Sequence, residues 1–192
     1  NSRLRRSAQT AMWQVLSALT RAMSPILTFT AEEIWQHMRS EIDPSLPESV
    51  QLTDWPAPDE ALLDDELAAR WERVLALRAL VTTALEQAKN SGEVTNPLEA
   101  QVDLYLTDQG KQALAGLTED LAQVFIVSSV QVHDFDQYHG EASSPLGAAR
   151  ATLAPGEKCQ RCWIRAQSTG TRSDHPQLCE RCALQVNTIL GK

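Results

Sequence analysis

The sequence predicts a mainly α fold in three successive parts: a helical bundle, a small α+β unit and a C-terminal four-cysteine zinc finger or ribbon. Three observations predict it. Apolar residues recur at helical spacing over 4–23, 31–39 and 64–90, the period falls to two near 100–106, and all four cysteines lie between 159 and 182. A length of 192 residues exceeds one typical domain, so several modest cores are expected instead of one large one.

The first helix rests on Leu4, Ala8, Ala11, Met12, Val15, Leu16, Leu19, Ala22 and Met23, and Ser24-Pro25 ends it because proline lacks the amide donor and disfavours helical geometry in the residue before it. A second helix is expected from Ala31, with Thr30 as cap, Glu33 closing a capping box and Phe29 stapled onto Ile34. Trp35 on its apolar stripe reads as core. Pro44, Pro47, Pro56 and Pro58 make 40–60 a surface crossing, with Val50-Gln51-Leu52 as a short strand. A longer helix starts at Asp64 on Leu67, Trp71, Val74, Leu77, Leu80, Val81, Leu85 and Ala88, and Gly92 suits its left-handed end.

Ala100, Val102, Leu104 and Leu106 then alternate with Gln101, Asp103 and Tyr105, and 124–132 is a β-branched run. Both read as strands, packed on the third helix because two strands alone are marginal. Short helices are expected over 109–116 and 118–123, and the aperiodic polar stretch 136–148 as a linker. The expected divisions are therefore 1–60, helical; 61–135, long helix plus small α+β unit; 136–148, linker; and 149–192, zinc-binding. His133 and His139 have no nucleophile or acid at motif spacing, and no catalytic residue is assigned.

The net charge of -8 is unevenly distributed. Residues 1–24 carry four arginines and no acid, 25–149 carry 22 acids against six bases, and 150–192 carry seven bases against three acids. Both ends thus offer a surface to a polyanion, separated by a stretch that repels one. No run approaches the roughly 18–20 apolar residues of a membrane span, and no signal-peptide core is present, so a cytoplasmic protein without a membrane partner is expected. The lack of an initiator Met, with helical patterning from the first residues, reads as a piece of a longer chain.

Cys159-x2-Cys162 and Cys179-x2-Cys182 are separated by sixteen residues, the spacing of a zinc site. Each C-x2-C turn directs two sulfurs to one point, and two turns together supply a tetrahedral set with Zn–S bonds of about 2.3 Å. Four protein ligands leave no open position, so the single zinc ion is structural. Disulfides are disfavoured in a cytosolic chain, and redox chemistry needs only one pair in a strand–helix setting; a Cys3His site using His175 is a further variant. Lys158, Arg161, Trp163, Arg165, Arg172 and Arg181 surround the cysteines, a composition that suits RNA: guanidinium groups meet phosphates and an indole stacks on an unpaired base. Trp163 has the alternative role of covering the metal.

Four stretches, in this order, resemble the C-terminal part of bacterial isoleucyl-tRNA synthetases, of class Ia: Met23–Leu27 with Phe29–Trp35; Leu52-Thr53-Asp54-Trp55-Pro56; Asn96-Pro97-Leu98-Glu99-Ala100; and Glu157-Lys158-Cys159-Gln160-Arg161-Cys162-Trp163. The first stretch is shared across class Ia, whereas the finger after it points to the isoleucine enzyme; similar fingers occur in DNA glycosylases of the formamidopyrimidine type. The resemblance covers essentially the whole chain. It implies that 1–60 end an anticodon-binding domain, followed by junction and zinc-binding domains, and that the parent enzyme, a monomer, charges tRNA(Ile) with isoleucine using ATP bound elsewhere in the synthetase chain. No glycine-rich phosphate loop, His-x-Gly-His-like or Lys-Met-Ser-Lys-Ser-like motif is found here. The alternative is a nucleic-acid-binding or protein-interaction finger unrelated to aminoacylation.

Overall fold

The structure is a computed structural model that describes residues 3–115, 117 and 120–191. The chain forms two compact units that meet in sequence at Leu63 and Asp64.

In the first unit, α1 (Arg3–Met23) and α2 (Thr28–Glu41) are followed by single 3-10 turns at Val50–Leu52 and Glu60–Leu62. The core is Ala31, Trp35, Met38 and Val50, with Trp13, Ile34 and Leu46 packed against it. Trp35 is the centre expected of it: its ring is buried, and Nε1 donates to the Pro47 carbonyl at 2.9 Å. Arg39 Nε donates to the Leu46 carbonyl and Gln36 Nε2 to that of Glu48, so α2 holds the proline-rich loop by its backbone. The stripe that made the first helix legible is only partly used here, since Met12, Val15, Leu16 and Leu19 remain exposed.

Two local expectations fail in this unit. The capping box at Thr30 does not form: α2 starts at Thr28, Leu27 precedes it without a side-chain capping bond, and Phe29 is 90% exposed. The amides of Ile26 and Leu27 donate to the Met23 carbonyl, and that of Ala31 donates to Leu27. The chain thus passes from helix to helix in one tight turn, with no extended residue at Thr30 to act as a cap. Glu32, not Glu33, carries the carboxylate work. It accepts from Ser49 Oγ at 2.7 Å, from the Val50 amide at 3.1 Å and from Gln36, and the Ser49 hydroxyl holds its carboxyl below the ordinary range. That anchor curls 50–52 into a 3-10 turn capped by Ser49 where a strand was expected.

The second unit opens with α3 (Asp65–Asn90), where the Asp64 side chain accepts from the Leu67 amide at 2.8 Å and Gly92 takes φ +79 beyond the end. A three-stranded sheet follows, ordered β2-β1-β3, from β1 (Ala100–Leu106), β2 (Ser129–Asp134) and β3 (Gly147–Leu153). β1 lies parallel to β2 and antiparallel to β3, and the β1–β2 crossover carries α4 (Asp108–Ala113) and α5 (Leu121–Phe125). Ala100, Val102, Leu104 and Leu106 are fully buried and join Leu77, Val81, Ala84 and Ala88 of α3 in one core, each large side chain contributing roughly 1.5–3 kcal/mol by transfer.

The run 124–132 is not one strand. Phe125 closes α5, Ile126 terminates it with φ 60, and β2 begins only at Ser129. Both short helices expected over 109–116 and 118–123 form, displaced by a few residues, as α4 and α5; Gly116, Thr118 and Glu119 lie outside the described residues. The expected linker 136–148 and the division at 149 also fail, since Gly147 and Ala148 already pair with β1 and residue 149 sits inside β3. β3 escapes a propensity reading because it is Gly147-Ala148-Ala149-Arg150-Ala151-Thr152-Leu153, with Thr152 its one β-branched residue. Small residues are what the position needs: a Cβ on Gly147 would stand 2.0 Å from the Tyr105 carbonyl oxygen. Beyond it come the ribbon strands β4 (Glu157–Lys158) and β5 (Arg165–Ala166), then α6 (Glu180–Leu190).

Candidate metal centre

β4 and β5 form a minimal hairpin whose loop carries Cys159 and Cys162. The loop closes on itself through the Cys159 amide to the Ile164 carbonyl at 2.9 Å and the Trp163 amide to the Cys159 carbonyl at 2.8 Å. Trp163 takes φ 65, a left-handed conformation usually left to glycine. The second pair comes from a helix start, with Cys179 the residue before α6 and Cys182 in its first turn. Leu178 precedes this pair in a turn closed by its amide donating to the His175 carbonyl.

The four sulfurs all lie within 4.8 Å of one another. Ligand bonds of about 2.3 Å in a tetrahedron require sulfurs about 3.8 Å apart, and Cys162 Sγ to Cys179 Sγ is 3.8 Å. Cys159, Cys179 and Cys182 are buried, with Cys162, Ala166 and Leu178 packed on them. This is too little apolar surface to fold the ribbon by itself. The donor set is soft, four-fold and closed, which fits one structural zinc ion held by Cys159, Cys162, Cys179 and Cys182. His175 is not a fifth candidate: its Nε2 is 2.8 Å from Asn187 Oδ1, outside the cluster.

The thiols are unequal. Burial raises the Cys159 thiol, but the amides of Cys162, Cys179 and Arg161 point at its sulfur and bring it down to about 6; the Cys179 amide approaches to 3.3 Å. Burial pushes Cys179 up to about 12 and raises Cys162 as well. A cation is what allows such a set to ionise together.

The six surrounding residues divide. Arg161, Trp163 and Arg181 are exposed beside the sulfurs, and Arg161 Nη1 donates to Cys182 Sγ at 3.7 Å. Arg172 is forked onto Asp174 at 2.9 and 2.7 Å. Arg165 turns inward, donating from Nε to the Ala154 carbonyl and from Nη2 to that of Gly156, and Lys158 pairs with Glu99 at 2.7 Å. Sequence reasoning missed two residues of this environment, Glu99 and Ser128, whose hydroxyl accepts from the Arg165 amide at 2.8 Å. Glu99 stood within a distinctive stretch, but nothing local marked its partners, which lie 59 residues away in the case of Lys158.

A helical unit, a long helix packed on a sheet and a tetrathiolate ribbon follow one another along the chain. Residues 1–104 match the family described as "Anticodon-binding domain of tRNA ligase", and 156–184 match "Zinc finger found in FPG and IleRS". The chain belongs to the anticodon-binding domain family of tRNA ligases. Among its relatives are the isoleucine–tRNA ligases of Moorella thermoacetica (42% identical), Caldanaerobacter subterraneus (38%) and Desulfitobacterium hafniense (40%), each aligned over 98% of this chain. The chain spans about a fifth of the length of these relatives, 20% to 21%.

Proposed function

We propose that this chain is the tRNA-holding C-terminal segment of an isoleucine–tRNA ligase, which charges tRNA(Ile) with isoleucine using ATP bound outside these residues. The observation that carries the reading is the order of parts within one chain: a helical anticodon-binding match followed by a four-cysteine finger. Three isoleucine–tRNA ligases align with that order over 98% of the chain. Trp163 stacks on an unpaired base, with Arg161 and Arg181 on neighbouring phosphates, because these three are exposed beside the cysteines. Of the other cations around the cysteines, Lys158 and Arg165 face Glu99, and Arg172 faces Asp174. The partners are tRNA(Ile) and the rest of the synthetase chain, and the parent acts as a cytoplasmic monomer.

Because the finger family is shared with FPG, DNA binding is the second reading. Filter binding of the zinc-loaded chain separates the two. Isoleucine tRNA should be retained in preference to a non-cognate tRNA and to duplex DNA, with retention falling steeply as salt rises. Equal retention of both tRNAs overturns the specific reading, and preference for duplex DNA favours the second.

A further inference from the structure

Two of the stretches that make the sequence distinctive, Asn96–Ala100 and Glu157–Trp163, meet in space. The Glu99 carboxylate, 17% exposed, lies between two cations of the ribbon: Lys158 Nζ is 2.7 Å from Oε1, and Arg165 Nη1 is 3.9 Å from Oε2. Arg165 also donates from Nε and Nη2 to the carbonyls of Ala154 and Gly156, at 2.9 and 2.5 Å. Ser128 completes the junction from the β2 side, its Oγ donating to the Leu98 carbonyl at 2.6 Å and accepting from the Arg165 amide at 2.8 Å. The backbone continues the same seam, with the Ala154 amide on the Glu99 carbonyl and the Ser128 amide on that of Ala100.

Only Ala154, Pro155 and Gly156 separate β3 from β4. Gly156 takes φ +89 so closely against the ribbon that a Cβ there would meet Ala166 at 2.4 Å. No slack connects the finger to the sheet. The Glu99 carboxylate, at 17% exposure, thus cross-links the two elements by side chain, beside the backbone bonds of the same seam.

We propose that Glu99 is a positioning residue: by bridging Lys158 and Arg165 it sets the tetrathiolate finger at one orientation on the three-stranded sheet, and these two cations serve this joint instead of contacting phosphate. Its functional consequence rests on the tRNA-holding reading above, because the joint fixes where Arg161, Trp163 and Arg181 are presented. The joint itself does not depend on that reading.

The test uses the zinc-loaded 192-residue chain, with Glu99→Ala, Glu99→Gln and Lys158→Gln. Residual dipolar couplings measured over 100–153 and over 157–190 should fit one alignment tensor in the wild type and two in Glu99→Ala, while bound zinc stays at one equivalent. One shared tensor in Glu99→Ala overturns the proposal, whether or not the chain binds tRNA. Glu99→Gln keeps the shape and one acceptor oxygen but loses the charge and should lie between the two, which guards against misreading a folding defect. In filter binding, Glu99→Ala should weaken tRNA retention several-fold at an unchanged salt slope. Lys158→Gln should also leave the slope unchanged, and a drop of about 0.7–0.9 there would make Lys158 a phosphate contact and overturn its assignment to the joint. Absence of tRNA binding by the wild type would overturn the tRNA-holding reading alone, with the coupling data still deciding the joint.

Discussion

Trp163 holds a left-handed backbone, φ 65, and keeps 57% of its surface in solvent. For a bulky L residue that conformation costs about 1–2 kcal/mol, and so exposed a ring recovers little of it by burial. The hairpin requires the conformation, because the Trp163 amide closes the turn on Cys159, but it does not require an indole. Trp163→Gly should therefore leave zinc affinity unchanged or strengthen the finger by up to about 1 kcal/mol, while weakening tRNA binding by about 1–3 kcal/mol, the value of one base stack. Chelator competition and filter binding on the same variant read the two effects separately. A loss of zinc affinity would instead assign the ring to covering the metal. Arg161 illustrates the same division at one side chain, since it is exposed to solvent yet directs Nη1 at Cys182 Sγ.

Among the elements, the finger is the one whose stability is tied to an ion. Its buried residues are three of the four cysteines, Cys159, Cys179 and Cys182, with Ala183 beside them, against a fully apolar set in the sheet. Cys179→Ser should thus unfold 157–190 and leave α1, α2 and α3 protected in amide exchange; unchanged protection beyond Gly156 would count against a zinc-folded ribbon. The pH dependence has a defined sign. Zinc holds every ligand as thiolate, below the value of about 8.5 for an unfolded thiol, so its stabilisation is complete above that value and is lost as pH falls. Burial raises the Cys179 thiol while the amides around Cys159 lower that one, so Cys179 is the sulfur expected to take a proton back first. Zinc transfer to a chromophoric chelator should accordingly rise as pH drops below about 8.5, and a pH-independent rate would contradict it.

Among the described residues of the whole chain there are two apolar cores with no residue in common, one around Trp35 and one between α3 and the sheet. Leu104 is fully buried at the middle of the central strand. Leu104→Ala should destabilise the second unit by about 2–5 kcal/mol. Exchange protection should fall through β1, β2, β3 and α3, and with them through the ribbon that Glu99 and Ala154 tie to β1. Protection of the Trp35 core should not change, because the two cores share no residue. Equal loss in both units would mean that the cores unfold together.

Sequence alone was sufficient where the deciding physics is local. The four metal ligands follow from two C-x2-C turns, each a few residues long. α3 follows from an unbroken apolar stripe between Asp64 and Gly92, and β1 from strict alternation on a half-buried strand. Tertiary structure decided the rest, because the partners lie far along the chain. Thr30 to Glu33 carried a capping signal that the turn from Met23 to Leu27 overrode. β3 had no strand propensity and exists because small residues fit beside β1. The cations around the cysteines looked alike in sequence, yet distant carboxylates divide them: Glu99 takes Lys158 and faces Arg165, while Arg161 and Arg181 stay at the surface. Composition settled that the C-terminal end is basic; the folded placement of Glu99 engages Lys158 and Arg165, and Asp174 engages Arg172.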